Sequence, residues 1–379
     1  MEQFVMKTKI YMGESCLDRL KELPAKRVFL ICDPFMVQSG KADWITELLK
    51  ETGSSWEVFS EVVPDPSIEV VSKAIGQMQK FNPDGIIALG GGSAIDTAKA
   101  ASFIYTKLGN KRLYLAAVPT TSGTGSEVTN FSVISDPAAQ AKYPMRSDDM
   151  LPDAAFLDPR FTVSVPPGIT ADTGMDVLTH ALEAYVSATP CDFTDACGEK
   201  AIRLVWKYLA KTVEDGKDME ARAHMHNASC LAGLAFNGAG LGLCHSMAHA
   251  LGARFHIPHG RSNAILLPHI ISYNAGLLDL TEQEACRKYG EIAAMAGIAA
   301  GTDKATVHGL VRHIRNMMNR IKIPQYITDL GIDKDEYEKA VREMAEKALA
   351  DNCTATNPRQ PKLEEIEAIY GQLCKGGCP

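Results

Sequence analysis

The stretch "GIIALGGGSAIDTAKAASFIYT", residues Gly85 to Thr106, changes its periodicity once. Its first six residues are an apolar run that reads as a buried strand, and from Ser93 onward apolar residues recur at helical spacing. Between the two lie Gly90, Gly91, Gly92 and Ser93. A strand entering a helix through successive glycines leaves backbone N–H groups available at the helix start, where phosphate oxygens bind. The spacing is neither the GxGxxG fingerprint nor a Walker A loop. A plain tight turn is the alternative reading.

The same alternation extends to both sides. "RVFLIC" (Arg27 to Cys32) reads as a strand that stops at Asp33-Pro34, and "DWITELLKETG" as a helix with a glycine stop. "WEVFSEVV" is a strand closed by "PDPS", "IEVVSKAIGQMQKFN" a helix, and "LYLAAVP" (Leu113 to Pro119) a further strand. Strands alternating with helices predict a mostly parallel sheet covered on both faces. A second loop, "PTTSGTGSEVT" (Pro119 to Thr129), again follows a strand and mixes glycines with hydroxyls. Two such loops at neighbouring strand ends suggest a dinucleotide held in one crevice. Asp33 follows the first strand, where a carboxylate accepts hydrogen bonds from an adenosine ribose and repels a 2′-phosphate, or simply forms a turn.

Beyond about Thr170 the pattern becomes helical throughout, as in "GMDVLTHALEAYVS", "EARAHMHNASCLAGLAF" and "LCHSMAHALGA". This predicts an all-helical second domain. The break lies near "VSVPPGITADTG", and we divide the chain into 1–177 and 178–379 with Asp176 at the boundary. A chain of 379 residues is long enough for two cores. The net charge of −7 and the lack of a basic run argue against a nucleic-acid partner. No window offers about 18 consecutive apolar residues, so no membrane partner is expected. The start, "MEQFVMKTKIYMG", lacks a secretory pattern. The ten cysteines lie mostly in apolar segments, as buried thiols of a reducing, cytoplasmic compartment do. "CKGGC" (Cys374 to Cys378) reads as a frayed end with two exposed thiols, or as a metal or redox pair.

Polar chemistry concentrates in two helical segments. Asp176 and His180 stand four apart in "TGMDVLTHALEAY" and share a helix face. "GLCHSMAHALGARFHIPHG" (Gly242 to Gly260) holds four of the ten histidines: His245 and His249 again at four-residue spacing, His256, and His259 in a Pro-His-Gly turn. One carboxylate with imidazoles suits Fe(II) or Zn(II). Spacing alone does not say which histidines bind.

Several long motifs, in order, carry a resemblance. "GGGSAIDTAKA", "PTTSGTGSEVTNFSVISD", "MLPDAAFLDP", "TGMDVLTHALEAYVS" and "HSMAHALGARFHIPHGRSNAILLPH" resemble the iron-containing, group III alcohol dehydrogenases, nearly end to end. Within that family the chain looks most like enzymes of bacterial propanediol-using microcompartments. The resemblance implies an α/β N-terminal dinucleotide-binding domain and an all-α C-terminal metal-binding domain, the dehydroquinate synthase-like arrangement, with the nicotinamide in the crevice between domains. It implies metal ligands at Asp176, His180, His245 and His259 and puts His249 near the nicotinamide, where that ring, or a ribose hydroxyl with bound water, would relay the proton. It implies cofactor contacts at Asp33, Gly91, Gly92, Ser93, Asp96, Thr120, Thr121, Ser122 and Lys142, and a substrate channel at Phe236 and Cys353. The cofactors would be NAD and Fe(II), with Zn(II) as the alternative metal. The substrates would be short-chain alcohols and aldehydes, propionaldehyde and 1-propanol first. The resemblance further implies a homodimer in the cytoplasm, enclosed among microcompartment enzymes and shell. A related lyase acting on a sugar phosphate would want lysines and arginines around the metal, whereas Phe236, Leu234 and Cys353 are apolar. His256, between Phe255 and Ile257, reads as a wall or loop residue.

Overall fold

The computed structural model describes residues 3–136, 141–278, 281 and 283–374, without the side chains of residues 141 and 142. The chain divides into two compact units, Val5–Val165 and Pro166–Pro379, the second taking in Met1–Phe4. The first unit carries β1 (Lys9–Met12), β2 (Arg27–Cys32), β3 (Ser55–Phe59), β4 (Gly85–Gly90), β5 (Tyr114–Pro119), β6 (Phe131–Asp136), β7 (Ala141–Arg146) and β8 (Ala154–Leu157). Six of these form one parallel sheet in the order β1-β8-β5-β4-β2-β3. β4 is buried at every residue because helices cover both its faces, which is why it reads as a continuous apolar run rather than an alternating one.

The helices of this unit are α1 (Pro34–Gln38), α2 (Lys41–Glu51), α3 (Ile68–Phe81) and α4 (Gly92–Lys107). The chain runs from β2 outward to β3, then returns past β2 to β4, so the direction of winding reverses between β2 and β4. The C-terminal ends of those two strands therefore flank the switch point, the usual ligand crevice of an open α/β sheet. Asp33 stands at one end and Gly90–Gly92 at the other.

Four strands were not read from periodicity. β1 and β8 have four residues each, too few to show a period. β6 and β7 pair as an antiparallel ribbon outside the main sheet, and Pro144 interrupts the pattern of β7.

The second unit consists of α5 (Pro167–Val186), α6 (Asp192–Glu214), α7 (Met219–Ala239), α8 (Leu243–Phe255), α9 (His259–Asn274), α10 (Glu284–Met295), α11 (Asp303–Arg320), α12 (Lys334–Ala350) and α13 (Leu363–Gly371). α5 is its centre. Nearly every residue from Thr170 to Val186 is buried, and α6, α7 and α9 pack around it. A helix apolar on all sides belongs inside a bundle, so the polar residues of α5 are the informative ones.

Two expectations change here, for His259 and Cys374. His259 is not in a turn: Pro258 caps α9 and His259 is its first residue, as suits a segment preceded by a φ-restricted proline. His256, read as a wall or loop residue, lies in the loop after α8 and closes that helix in the left-handed conformation, with φ of +54°. Cys374 is buried rather than exposed, while Cys378 lies outside the described residues. No helix among the described residues is long and apolar enough to cross a membrane.

Candidate cofactor loops and metal centre

The two glycine loops meet. A Cβ on Gly91 would lie 3.2 Å from Thr121 Oγ1, and one on Gly92 would lie 2.8 Å from Thr124 Cγ2. Glycine is needed because the loop after β5 lies against the start of α4. Thr120 ties them further, its N–H donating to Gly90 O at 3.0 Å. Gly91 caps α4, and its carbonyl takes the N–H groups of Ala94 and Ile95. The N–H groups of Gly92 and Ser93 come earlier in the turn, where a helix leaves donors without intrahelical partners. That is an anion-binding arrangement.

Asp33 serves the turn and the crevice together. Its Oδ1 accepts from Met36 N at 3.2 Å and caps α1. Its Oδ2 lies so near Gly90 that a Cβ there would be 3.4 Å away. Asp96 is committed within its own unit. Ser126 Oγ donates to its Oδ1 at 2.6 Å and Val133 N to its Oδ2 at 3.0 Å. Beside it, the fully buried Lys99 donates to Ser126 Oγ, Thr129 Oγ1 and Phe131 O at 2.9–3.0 Å. These two charges hold the second loop in place, a role that periodicity does not reveal. Lys142 belongs to β7, and its side chain lies outside the described residues.

The metal-binding chemistry gathers in the helical unit. Asp176 and His180 on α5, His245 on α8 and His259 on α9 each bring one donor atom to within 4.8 Å of the others. Asp176, His180 and His245 are buried, whereas the His259 side chain is 42% exposed and leaves one side open. His245 Nε2 and His259 Nε2 stand 3.7 and 3.5 Å from Asp176 Oδ1. Donors about 2.1 Å from a tetrahedral metal are about 3.4 Å from each other, so the spacing fits an ion.

The charges fit it too. Burial alone would raise the Asp176 carboxyl, but the imidazoles of His180, His259 and His245 bring it well below the usual carboxylate range. Asn263 sharpens the point. Its Nδ2 lies 2.7 Å from Asp176 Oδ1, 3.2 Å from His245 Nε2 and 3.1 Å from His259 Nε2. An amide NH₂ has two hydrogens for these three lone pairs. A divalent cation placed where these donors converge would take the lone pairs that the amide leaves over.

Glu183 was missed by the sequence reading and organises the centre. Its Oε2 meets His245 Nδ1 at 2.6 Å, and its two oxygens take the N–H groups of Gly242 and Cys244 at 3.0 and 2.7 Å. It thus caps α8 and turns His245 Nε2 toward Asp176. Burial opposes protonation of His245, but Glu183 and Asp176 outweigh it and push the ring up to about 9. Glu183 lies three residues after His180, on the helix face that already carries Asp176, and that polar repeat was the available signal. Asn263 was hidden because it stands one turn after His259 only if α9 starts at His259.

His249 is not in the four-donor set. Its ring stacks on His259 at 5.4 Å, and its Nδ1 meets Asp351 Oδ2 at 2.9 Å. Phe236 stacks on the His180 ring at 4.5 Å. Cys353 is half-buried near His249.

Residues 7–159 match the family model described as iron-containing alcohol dehydrogenase. Residues 170–374 match that of the Fe-containing alcohol dehydrogenase family, C-terminal. The chain is 42% identical over 375 residues to a 1-propanol dehydrogenase of Citrobacter freundii, covering 98% of this chain and 100% of that one. It is 40% identical to an NADPH-dependent butanol dehydrogenase of Clostridium saccharobutylicum, covering 98% and 97%. Its structure resembles that of an iron-containing alcohol dehydrogenase from Thermococcus thioreducens with a TM-score of 0.90, at 33% identity and 98% and 99% coverage.

Proposed function

The chain belongs to the iron-containing alcohol dehydrogenase family, and from that premise we propose that it reduces propionaldehyde to 1-propanol with NADH. Metal-dependent, NAD(H)-linked interconversion of alcohols and aldehydes is the activity of the chain; the particular substrate and direction are our reading. The convergence of Asp176, His180, His245 and His259 carries it. Those four residues would hold Fe(II), which as a Lewis acid polarises the oxygen of the aldehyde or alcohol.

The protein's own residues do the rest. Glu183 holds His245 in the tautomer that presents Nε2, as such partners do around metals. Gly92 and Ser93 offer N–H groups to the pyrophosphate of NAD. Asp33 Oδ2 disfavours a 2′-phosphate, a choice opposite to the cofactor named for the butanol dehydrogenase relative. Phe236, packed on His180, gives the substrate an apolar wall. His249 is exposed, is held by Asp351 and stacks on His259, which supports its part as proton relay. The resemblance also supports a cytoplasmic homodimer enclosed in a microcompartment, which sedimentation and localisation with and without the shell would test.

An apolar wall separates substrates differing by one methylene by only about 1–3 kcal/mol. The decisive experiment is therefore a steady-state series of two- to four-carbon aldehydes with protein reconstituted anaerobically with Fe(II), using NADH and NADPH in turn. We expect NADH oxidation to peak in kcat/KM at propionaldehyde and to vanish on chelation. A preference for butyraldehyde, or for NADPH, would overturn the substrate or the cofactor choice respectively.

A further inference from the structure

A second group of metal-ligating side chains lies outside the four-donor centre. His249, Asp351 and Cys353 each place one donor atom within 4.8 Å of the others. His249 comes from α8; Asp351 and Cys353 come from the turn that follows α12. Asp351 is fixed by the backbone, because its Oδ1 accepts the Cys353 N–H at 2.8 Å and caps the next turn. Ser246 Oγ also approaches that oxygen, at 3.4 Å. Its Oδ2 faces His249 Nδ1 at 2.9 Å. One carboxylate thus faces an imidazole nitrogen, and a thiol lies close enough for the three donors to share a cation.

The trio is also reachable, unlike the buried residues of the first centre. The His249 side chain is 46% exposed and that of Asp351 23%. Water can complete a coordination shell from that side.

We propose that His249, Asp351 and Cys353 form a second, inhibitory site for a borderline-to-soft divalent cation, zinc above all. Imidazole nitrogen, carboxylate oxygen and thiolate sulfur are zinc's donors, whereas magnesium and calcium take oxygen ligands. The thiolate favours zinc over Fe(II) at this position, while the first centre offers no sulfur. Binding is not a redox step. The Cys353 thiol gives its proton to solvent, and His249 carries its hydrogen on Nε2 so that Nδ1 can bind. The net change is one zinc bound and one proton released.

Occupation removes His249 from any proton transfer and cancels the negative charge of Asp351 beside it. The inhibition rests on the function proposed above; the binding does not.

The test titrates zinc into anaerobic, Fe(II)-loaded protein. It follows zinc and iron per chain, NADH oxidation with propionaldehyde, and X-ray absorption at the zinc edge. We expect one zinc to bind while iron stays, sulfur to appear in the zinc shell at about 2.3 Å, and the rate to fall with zinc occupancy. A weak chelator should restore the rate without removing iron. Cys353→Ser should remove the sulfur signal, and it and Asp351→Asn should each weaken zinc binding at least tenfold; Asp351→Asn keeps the capping oxygen. Should Cys353→Ser fail to fold, Asp351→Asn and the wild-type spectrum decide. One-for-one loss of iron as zinc enters, or a sulfur signal that persists in Cys353→Ser, overturns the site. Zinc bound through Cys353 without loss of rate overturns the inhibition. Zinc bound there in a protein inactive on every aldehyde overturns the function and leaves the site standing.

Discussion

At the scale of single residues, the two histidines of α8 have the same spacing as a ligand pair but different surroundings. His245 is buried and gripped by Glu183, with Nε2 turned to Asp176 and Asn263. His249, one turn later, is exposed and turned to Asp351. The sequence shows the spacing and not the partners, because Glu183 and Asp351 come from α5 and from beyond α12. The resemblance, not the periodicity, separates the two histidines. Metal content after anaerobic loading and desalting measures the separation. His245→Ala should lose the metal, having lost a donor and left Glu183 without its ring. Glu183→Gln should keep the fold but weaken the metal by roughly 10–100-fold, the usual cost of removing a partner that orients a ligand. His249→Ala should retain a full equivalent. A metal-free His249→Ala protein would put that ring among the ligands.

At the scale of elements, the metal centre depends on how closely α5 and α9 approach. A Cβ on Gly260 would lie 2.2 Å from Asp172 O, a backbone atom that cannot turn aside. One residue on, Arg261 grips the Asp172 carboxylate with two bonds at 3.0 Å. His259 precedes this contact and Asp176 follows Asp172 by one turn, so the contact sets the distance between two ligands. Gly260→Ala should push the helices apart, costing roughly 1–3 kcal/mol as overpacking does. It should also cut metal affinity, with thermal unfolding of the apo and loaded protein as the measure. Unchanged metal affinity at lowered stability would show that the contact serves packing alone. Elements of this kind were unequally legible. β4 and α5 are long, buried and uniform, so their sequences announce them. The crossing at Gly260 was not legible, since "HIPHG" looks like a turn until Pro258 is seen to cap a helix. β1 and β8 are too short to carry a period, and they form through pairing with each other and, for β8, with β5.

At the scale of the whole molecule, the division into an α/β unit and a helical unit follows from the switch in hydrophobic period near Thr170, although the second unit begins earlier, at Pro166, than the boundary at 177 read from sequence. What the switch cannot show is the cost carried inside the first unit. Lys99 beneath the second loop and Glu127 within it are both buried, and Glu127 Oε1 has no hydrogen-bond partner among the described residues. Burial pushes the Glu127 carboxyl up to about 7, against weaker lowering by its own backbone N–H and by Lys99. Burial brings Lys99 down to about 8, against the pull of Asp96 and Glu127. Between the ordinary carboxylate value of 4.5 and about 7, the unfolded chain has shed the Glu127 proton while the folded protein keeps it. Stability then falls as pH rises, by about 3 kcal/mol at most for such a shift. Between about 8 and 10.5 the unfolded chain holds the Lys99 proton that the folded protein has lost, and stability recovers. The pair therefore contributes least between pH 7 and 8. Denaturant unfolding of wild type and Glu127→Gln at intervals from pH 5 to 8 should show curves that diverge up to about pH 7, with the variant gaining on the wild type, and run parallel above it. Parallel curves over the whole range would mean that Glu127 is already ionised at pH 5 and that Lys99, rather than burial, governs it.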